Sequence, residues 1–293
     1  MSNLFSFQDL DGHYTIRVFG IKFSIRHKCN FNYKPATEYG ITPEKRNPQL
    51  IVSLTSYPGR INTTHLAVNT LLRQTIKPDR VILWLSDSQF KNKENDLPSE
   101  LLKLKEFGLE IKWCEDIRSY KKLIPALKEF PDDIIVTADD DIYYEENWLK
   151  SLYESYLNDK NLIHVQRAMK LVFKDEKLIY TKISGKNPGY FNQQLGGTGC
   201  LYPPHCLNDD VLYNEKLYHL LPTSDDVAFW AMAVLNKTKI KVVNENWSIH
   251  TIDRTKETSL SNINQSKNVD NKAILFNEYP NLKKILSEEG FNA

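Results

Sequence analysis

The chain has 293 residues, of which 41% are hydrophobic, and its formal net charge at pH 7 is +1. This length can bury a sizeable core in one large domain or two modest ones. The balanced charge, together with the lack of a base-reading motif, argues against an electrostatically driven nucleic-acid-binding protein.

Cysteine usage and hydropathy indicate the compartment. The four cysteines are scattered without a Cys-x-x-Cys pair, which is typical of a reduced, cytoplasmic protein. The first residues lack the basic and apolar regions of a signal peptide, and no apolar window approaches the length of a membrane span. We therefore expect a cytoplasmic protein, and peripheral contact with the inner face of the plasma membrane stays open.

The N-terminal 48 residues are predicted to form a small hairpin and a linker. Apolar and basic residues alternate between positions 13 and 28, which predicts a hairpin with a basic face. Such a hairpin either packs on the domain as an edge or contacts an anionic membrane surface. Positions 29 to 48 contain Pro35, Gly40, Pro43 and Pro48, which indicate a linker.

Strands and helices alternate in the next part of the chain, which starts near Gln49. Apolar, β-branched runs predict strands, and the segments between them have helical periodicity. This order predicts an α/β fold with a mixed, mostly parallel sheet and helices on both faces. The predicted strands are 50–56, 80–86, 109–113 and 134–138, and the predicted helices are 63–75, 99–107 and 120–130.

The pattern changes after position 145, so we divide a catalytic domain of residues 49–252 into a nucleotide-binding half, 49–145, and an acceptor half, 146–252. Residues 253–293 are predicted to be a polar segment followed by a last helix at 273–288. The acceptor half is predicted to contain a helix at 146–157, short strands within 162–183, a functional loop at 184–206, an apolar helix at 225–235 with Ser224 as its N-cap, and a strand at 239–243.

The most informative stretch is a buried strand that runs directly into Asp139, Asp140 and Asp141. Acidic residues at the carboxyl end of a strand lie where open α/β sheets bind ligands. Three adjacent carboxylates repel one another unless a cation or solvent relieves them, and Mg2+ or Mn2+ would do so while leaving positions for phosphates. We interpret the stretch as a metal–diphosphate site. The alternative is a solvated acidic turn that starts a helix.

Four stretches stand out by their order and spacing: Ser53–Arg60, Lys122–Pro125, Asp139–Asp141 and Ser224–Asp226. Together they resemble the GT-A glycosyltransferases, especially the bacterial enzymes that build capsule or lipopolysaccharide. The resemblance covers roughly residues 49 to 250 and implies a GT-A (Rossmann-like) fold. It also implies transfer of a sugar from a nucleotide-sugar donor, expected to be a UDP-sugar, to a glycan or lipid-linked glycan acceptor.

The resemblance implies where the donor would bind. Arg60 could contact the diphosphate, because a guanidinium matches phosphate geometry, or it could be an ordinary surface arginine. Lys122 could lie near the nucleotide or the diphosphate, although its neighbour Lys121 makes a solvated charged face equally plausible. Residues of the first strand and its turn would face the base or ribose: Thr55, Ser56 and Tyr57.

The same resemblance assigns the metal ligands. Asp139 would face the ribose and a metal-bound water, Asp140 would belong to the nucleotide-sugar site, and Asp141 would bind the metal directly. Many relatives add a late ligand, and His250 stands at about the right place in the chain. A neutral imidazole suits Mn2+ better than Mg2+. The alternative is that His250 is structural.

An inverting transferase needs a carboxylate that deprotonates the acceptor hydroxyl. We predict Asp226 as this base and Asp225 as an acceptor contact, although both acids could merely favour the positive end of the helix. Asp-Asp stands where many relatives have Glu-Asp, so a retaining enzyme stays an alternative. The donor-sugar and acceptor site is predicted to include Gly197, Thr198, Gly199 and Trp230, with further candidates in Gln193, Gln194, Tyr190, Phe191 and Trp247.

Two other functions remain as alternatives. One is a phosphohydrolase that uses an Asp-x-Asp nucleophile, although such motifs usually open the chain and continue with Thr or Val rather than Ile142. The other is a non-catalytic scaffold that binds a nucleotide-sugar. Hydrolysis of a generic phosphomonoester would favour the first, and donor binding without turnover would favour the second.

Overall fold

A computed structural model describes residues 5–10, 13–18, 21–26, 31–174, 177–182, 186–213, 215–244, 248–252 and 268–289. Its strands are β1 (Phe5–Leu10), β2 (His13–Val18), β3 (Ile21–Arg26), β4 (Leu50–Thr55), β5 (Arg80–Ser86), β6 (Leu109–Cys114), β7 (Ile134–Ala138), β8 (Ile142–Tyr143), β9 (Ile163–Val165), β10 (Ala168–Lys174), β11 (Lys177–Lys182), β12 (Asn192–Gln194), β13 (Cys200–Tyr202), β14 (Ile240–Val242) and β15 (His250–Thr251).

The helices follow the same chain order, with 3-10 turns at Lys93–Asp96, Lys103–Phe107, Arg118–Lys122 and Gly196–Thr198. Within the described ranges, no helix is both long enough and apolar enough to cross a bilayer. The α-helices are α1 (Ile61–Leu71), α2 (Ser99–Leu102), α3 (Ile124–Glu129), α4 (Trp148–Asn158), α5 (Asp210–Tyr213), α6 (Lys216–Leu220), α7 (Asp225–Leu235), α8 (Asn268–Glu278) and α9 (Pro280–Glu288).

The centre of the fold is a seven-stranded sheet in the order β14-β9-β13-β7-β4-β5-β6. All neighbouring strands pair in parallel except β13, which is antiparallel to both β7 and β9. The expected α/β fold with a mixed, mostly parallel sheet is confirmed. Strands covered on both sides need continuous apolar runs, which explains why β4, β5 and β7 were visible in the sequence.

Alternate residues of the strands enter two separate cores, one on each face of the sheet. In β4, Leu50, Val52 and Leu54 pack with α1, α2 and α4, whereas Ile51 packs with the helices of the opposite face. That opposite core contains residues of α3 and of α5 to α9. The period of two along a strand therefore places helices on both faces, as the sequence predicted.

Strand direction gathers the predicted site residues at one edge of the sheet. β4 and β7 are parallel neighbours in which Leu54 pairs with Ala138, so the chain leaves both strands at the same edge. β13 runs the opposite way, with Cys200 opposite Thr137, so the residues just before β13 arrive at that edge as well. The acidic motif, the turn after β4 and the loop at 196–199 therefore meet.

Several predicted elements differ in detail. The predicted N-terminal hairpin is β2 and β3, and a third strand, β1, pairs antiparallel with β2. Residues 31–48 lie against the domain rather than forming a free linker, because the amide of Ala36 donates to Asn69 Oδ1 at 2.8 Å. The glycine-rich region contains β12 and β13, whose three residues each are too short to show periodicity.

The C-terminal region contains two helices instead of one. Pro280 occupies the first turn of α9, where its missing N–H costs nothing, and so separates α9 from α8. The predicted polar segment at 253–267 lies outside the described residues. Ser224 does precede α7 at the N-cap position, but its hydroxyl accepts from Asn271 Nδ2 at 2.7 Å and makes no capping hydrogen bond.

Candidate active site

Two groups of carboxylates and two cations meet at the carboxyl edge of β4 and β7, and we call this set the acid cluster. The carboxylates follow β7 or begin α7, and the cations come from the start of α1 and from the 3-10 turn after β6. Ion pairs join them directly. The members are Asp139, Asp140, Asp141, Asp225, Asp226, Arg60 and Lys122.

Arg60 holds one side of the cluster together. Its Nη1 lies 2.9 Å from Asp140 Oδ1 and 2.8 Å from Asp141 Oδ2. The hydroxyl of Ser56 donates to the other oxygen of Asp140 at 2.5 Å. Both oxygens of Asp140 are therefore occupied, and only 4% of this residue is exposed. The carboxylate of Asp140 holds Arg60 and Ser56, and its place in the nucleotide-sugar site stays a prediction.

Lys122 joins the acidic motif to α7. Its buried ammonium lies 2.9 Å from Asp139 Oδ1 and 3.1 Å from Asp225 Oδ2. The other oxygen of Asp225 accepts a hydrogen bond from the hydroxyl of Ser119 at 2.8 Å. The structure thus places Asp225 in a bridge that aligns α7 with the acidic motif, and its contact with an acceptor stays a prediction. Of the two readings for Lys122, the solvated charged face is wrong.

Asp226 lies under the loop at 196–199. Its Oδ2 accepts from the amide of Gly196 at 3.1 Å, while its Oδ1 is buried without a hydrogen-bond donor among the described residues. A Cβ atom at position 196 would overlap Oδ1, so this contact requires glycine. Asp226 therefore keeps one carboxylate oxygen uncommitted inside a pocket of charged groups.

The glycine-rich loop at 196–199 packs directly against the carboxylates of the acid cluster. A Cβ atom at Gly197 would overlap Asp139 Oδ2, and Gly199 has a φ of +111°, a conformation that side chains disfavour. Tyr144 links the loop to the acidic motif, because its hydroxyl accepts from the amide of Asp139 at 2.7 Å and donates to the carbonyl of Gly197 at 2.8 Å. The loop and the acidic motif thus form one unit.

Burial shifts the pKa values of these groups. Burial, reinforced by the charge of Asp139, raises the pKa of Asp141 to about 7. Burial and the charge of Asp225 raise the pKa of Asp226 to about 7 as well. Burial alone would lower the pKa of Lys122, but Asp139 and Asp225 more than offset it, so this pKa is raised well above its usual value. Two carboxyl groups can therefore exchange protons near neutral pH.

The acid cluster suits a divalent cation in its charge and in its donors. Carboxylates outnumber cationic side chains in it, and carboxylate oxygen is the ligand type that Mg2+ and Mn2+ favour. Within the described ranges, no three His, Cys, Asp or Glu side chains converge on one metal position. A cation held by Asp139 and Asp141 would therefore complete its shell with water and phosphate, as Mg2+ commonly does.

His250 lies beside the acidic motif without pointing into the acid cluster. β15 pairs with β8, so His250 is opposite Tyr143, and the amide of Ile252 donates to the carbonyl of Asp141 at 2.8 Å. The imidazole Nε2 itself lies 3.2 Å from Glu145 Oε1. The backbone reaches the expected place, and the ligand role of this side chain stays a prediction.

Other predicted contacts fall outside the acid cluster. Trp230 is fully buried and donates to the carbonyl of Tyr190 at 2.7 Å, so its ring belongs to the core and nothing supports its predicted contact with a sugar. The reason is that α7 is buried nearly all round and uses this ring in the core. The hydroxyl of Thr198 donates to the carbonyl of Leu195 at 2.7 Å, and the hydroxyl of Thr55 donates to the carbonyl of Trp84 at 2.8 Å.

The remaining sugar-site candidates are structural or lie elsewhere. Gln194 is buried and donates to the carbonyl of Asp226 at 3.2 Å, and Gln193 accepts from the hydroxyl of Tyr180 at 3.0 Å. Trp247 lies outside the described residues. Tyr57 is half-buried, and its ring lies beneath the guanidinium of Arg60 at 5.8 Å.

Sequence reasoning missed Ser119 and Tyr144, and it selected the glycine run that starts at Gly196 without foreseeing the contact of Gly196 with Asp226. Each acts through a contact between segments that are far apart in the chain, for example 106 residues for Ser119 and Asp225. Position within the motifs could have suggested two of them, since Tyr144 follows the acids closely and Gly196 opens the Gly-Gly-Thr-Gly run. Nothing in the sequence marks Ser119.

Comparison with known proteins yields a distant likeness. No family model and no curated protein matches the chain. Two crystal structures of S. aureus TarS are similar to it at 15% sequence identity and a TM-score of 0.48, the second being a complex with UDP-GlcNAc. The first match covers 72% of this chain and 62% of TarS, and the second covers 69% and 57%. This chain thus spans less than two thirds of the TarS chains, and its functional assignment rests on its own site residues.

Proposed function

We propose that this protein is a metal-dependent glycosyltransferase that moves a sugar from a nucleotide-sugar donor, a UDP-sugar, to a glycan acceptor with inversion. The observation that carries the proposal is Asp226, a carboxylate with a pKa of about 7 and one uncommitted oxygen, in the same cluster as Asp139 and Asp141. A general base works best when its pKa lies near the operating pH.

The donor diphosphate would lie against the acidic motif and its cations. Asp139 and Asp141 would hold Mn2+ or Mg2+, which when bound would stabilise the negative charge of the departing nucleoside diphosphate. Arg60 would assist from the other side, since its buried Nε has no partner among the described residues and could donate to phosphate. Tyr57, beneath Arg60, would border the nucleotide.

Asp226 would act on the acceptor. The acceptor oxygen attacks the anomeric carbon, the bond from that carbon to the diphosphate oxygen breaks, and the hydroxyl proton passes to the carboxylate of Asp226. The transition state resembles an oxocarbenium ion, as in glycoside hydrolysis, and one displacement inverts the anomeric centre. Lys122 and Asp225 would position α7 so that Asp226 faces the donor.

The acceptor class follows from the motif order rather than from the site geometry. We propose a glycan or lipid-linked glycan of a bacterial surface polysaccharide, with the protein acting in the cytoplasm or at the inner face of the plasma membrane. Transfer of radiolabelled sugar into the lipid-extractable fraction of purified membranes would support a lipid-linked acceptor. Label that appears only in free oligosaccharide would contradict it.

The test is calorimetric binding of UDP, GDP, CMP and dTDP, each with Mn2+ and with EDTA. Tight, metal-dependent binding of UDP alone supports the donor site and its base. Binding of a different diphosphate keeps the transferase and changes the donor. No binding to any of them, together with hydrolysis of p-nitrophenyl phosphate, would replace the proposal with a phosphohydrolase, and binding without turnover would favour the scaffold.

A further inference from the structure

A group of aromatic rings lies beside the acid cluster, and apart from the metal-ligand role predicted for its one histidine it takes no part in the chemistry described so far. Phe31 stacks on Tyr143 with ring centroids 4.9 Å apart and planes within 5° of each other. His250 lies 5.3 Å from Phe31, and Tyr33 lies 5.7 Å from Tyr143. We call these four residues the aromatic ledge. All four are half-buried, so part of each ring reaches the surface.

The aromatic ledge is tied to the acidic motif through the backbone. β8 begins directly after Asp141, and its Tyr143 pairs with His250 of β15. The amide of Ile252, the residue directly after β15, donates to the carbonyl of Asp141 at 2.8 Å. A short two-stranded ribbon therefore fixes the distance between the aromatic ledge and the proposed metal ligands.

A cleft of about 320 Å³ opens next to the aromatic ledge. Phe31 and Tyr144 both belong to its lining. The hydroxyl of Tyr144 also bridges the amide of Asp139 and the carbonyl of Gly197. Because Tyr144 is only 1% exposed, it forms part of the wall between the cleft and the acidic motif. The volume lies at the lower end of the range for small-molecule sites.

Cationic and anionic side chains are equal in number in the lining of the cleft, with Arg73 and Lys34 against Glu145 and Glu146. Arg73 pairs with Glu146 at 2.8 Å. Lys34 is an exposed residue in the lining, and the amides of Asn32 and Asn147 are polar groups without charge. Such a lining offers donors and acceptors of hydrogen bonds without a strong electrostatic field.

We propose that the aromatic ledge and this cleft bind neutral sugar residues of the acceptor glycan, an inference that rests on the proposed transferase function. Large rigid rings give a sugar's C–H face apolar contact at low entropic cost, and the amides and carboxylates of the cleft suit its hydroxyl groups. The balanced charges favour a neutral glycan over an anionic one, which would meet Glu145 and Glu146.

The experiment measures oligosaccharide binding in the absence of nucleotide. Saturation-transfer NMR titrations use the full chain with neutral tetrasaccharides of glucose, galactose, mannose and N-acetylglucosamine in α and β linkage, and with a tetragalacturonate as the anionic probe. The variants are Phe31→Ala and Tyr143→Leu. Tyr39→Ala is the matched control, because this tyrosine lies in the same N-terminal segment and is 53% exposed. Thermal unfolding confirms that each variant folds.

We expect at least one neutral tetrasaccharide to bind, each ledge variant to weaken it about tenfold, and Tyr39→Ala to leave it unchanged. A loss of tenfold corresponds to about 1.4 kcal/mol. Equal binding by the ledge variants and the parent would overturn the inference. So would the absence of binding by every tetrasaccharide, or a preference for tetragalacturonate.

Nucleotide binding separates this inference from the proposed function. Each variant is also titrated with UDP and Mn2+, and the ledge variants are expected to match the parent there. If UDP fails to bind even the parent while the ledge variants lose tetrasaccharide binding, the transferase proposal fails and the sugar site stands. If UDP binds and the ledge variants keep tetrasaccharide affinity, the transferase stands and the sugar site is overturned.

Discussion

The two sides of the acid cluster use the same residue type in opposite ways. On the Arg60 side, Asp140 has both oxygens occupied, by Arg60 at 2.9 Å and by Ser56 at 2.5 Å. On the Lys122 side, Asp226 has one oxygen bonded to the amide of Gly196 and the other without a donor among the described residues. Satisfied and unsatisfied carboxylates thus lie within one cluster.

This difference indicates which acids support the fold and which can react. A buried carboxylate with all its hydrogen bonds made is held in one state and contributes to positioning, whereas one that lacks a donor is the better proton acceptor. Asp140 and Asp226 therefore differ in burial and in partners although both belong to the same cluster. Substitutions on the Lys122 side and on the Arg60 side of the cluster test this difference.

The largest effect is expected for Asp226→Asn. The amide has the shape of the carboxylate but cannot accept a proton, so we expect the transfer rate to fall about 10³-fold while donor affinity stays near normal. The measurement is initial-rate kinetics with the nucleotide-sugar identified by calorimetry, alongside titration of UDP.

The comparison variant is Asp225→Asn, which weakens the bridge to Lys122 and Ser119 without removing the base. Its rate should fall less than that of Asp226→Asn. An Asp226→Asn protein that retains transfer would remove this residue from the mechanism, and a larger loss in Asp225→Asn would exchange the two roles.

Asp140→Ala tests the satisfied side of the cluster through stability. The change leaves the Ser56 hydroxyl without its carboxylate partner and removes one of the two acids that Arg60 contacts. Breaking a buried ion pair in this way costs about 3 kcal/mol of unfolding free energy. Denaturant unfolding of the variant and the parent measures it.

The matched control is Asp132→Ala. Asp132 pairs with His205 at 2.9 Å, but its side chain is 85% exposed, so its loss should change the unfolding free energy by less than about 0.5 kcal/mol. Equal unfolding curves for Asp140→Ala and the parent would show that the Arg60 side does not stabilise the fold as described.

Asp141→Ala tests the proposed metal site. Without this carboxylate the cation loses a ligand, and we expect the gain in UDP affinity that Mn2+ provides to fall by about tenfold or more. Calorimetry with Mn2+ and with EDTA measures that gain. Glu110→Ala is the control, because Glu110 pairs with Arg80 at 2.8 Å near the opposite edge of the sheet. Titration curves with Mn2+ that are unchanged in Asp141→Ala would exclude the metal assignment.

The sequence anticipated the strands and the acids more completely than their contacts. β5 and β7 were predicted with their observed bounds because buried strands need long apolar runs. β13 was missed because three residues inside a glycine-rich loop carry no usable period. That omission hid the reason why Gly196 and Gly197 lie on the acids, since only the antiparallel direction of β13 brings them to that edge.

The role of a single side chain was harder to foresee than its neighbourhood. Trp230 occupies the expected helix close to Asp226, yet its ring is in the core, because α7 is covered on nearly all sides by other elements. Periodicity shows how apolar a helix is but not which neighbours will cover it. Asp225 and Asp226 begin the predicted helix, but only the structure distinguishes them: Asp225 Oδ2 forms an ion pair with Lys122, whereas Asp226 Oδ1 has neither a hydrogen-bond donor nor an ion-pair partner among the described residues.

The smallest expected change is the pH dependence of transfer, which tests the protonation of Asp226 directly. Asp226 must be deprotonated to accept a proton, and its pKa is raised to about 7, so activity should rise with pH through this value and level off above it. Between pH 6 and pH 8 the deprotonated fraction of such a group increases about tenfold. The pKa of about 7 applies to the enzyme without donor, so kcat/KM is the quantity to measure, at saturating metal so that the raised pKa of Asp141 does not limit metal binding. A kcat/KM that stays constant from pH 6 to pH 8 would contradict Asp226 as the base, whereas a tenfold rise that is absent from the residual activity of Asp226→Asn would assign the titration to this residue.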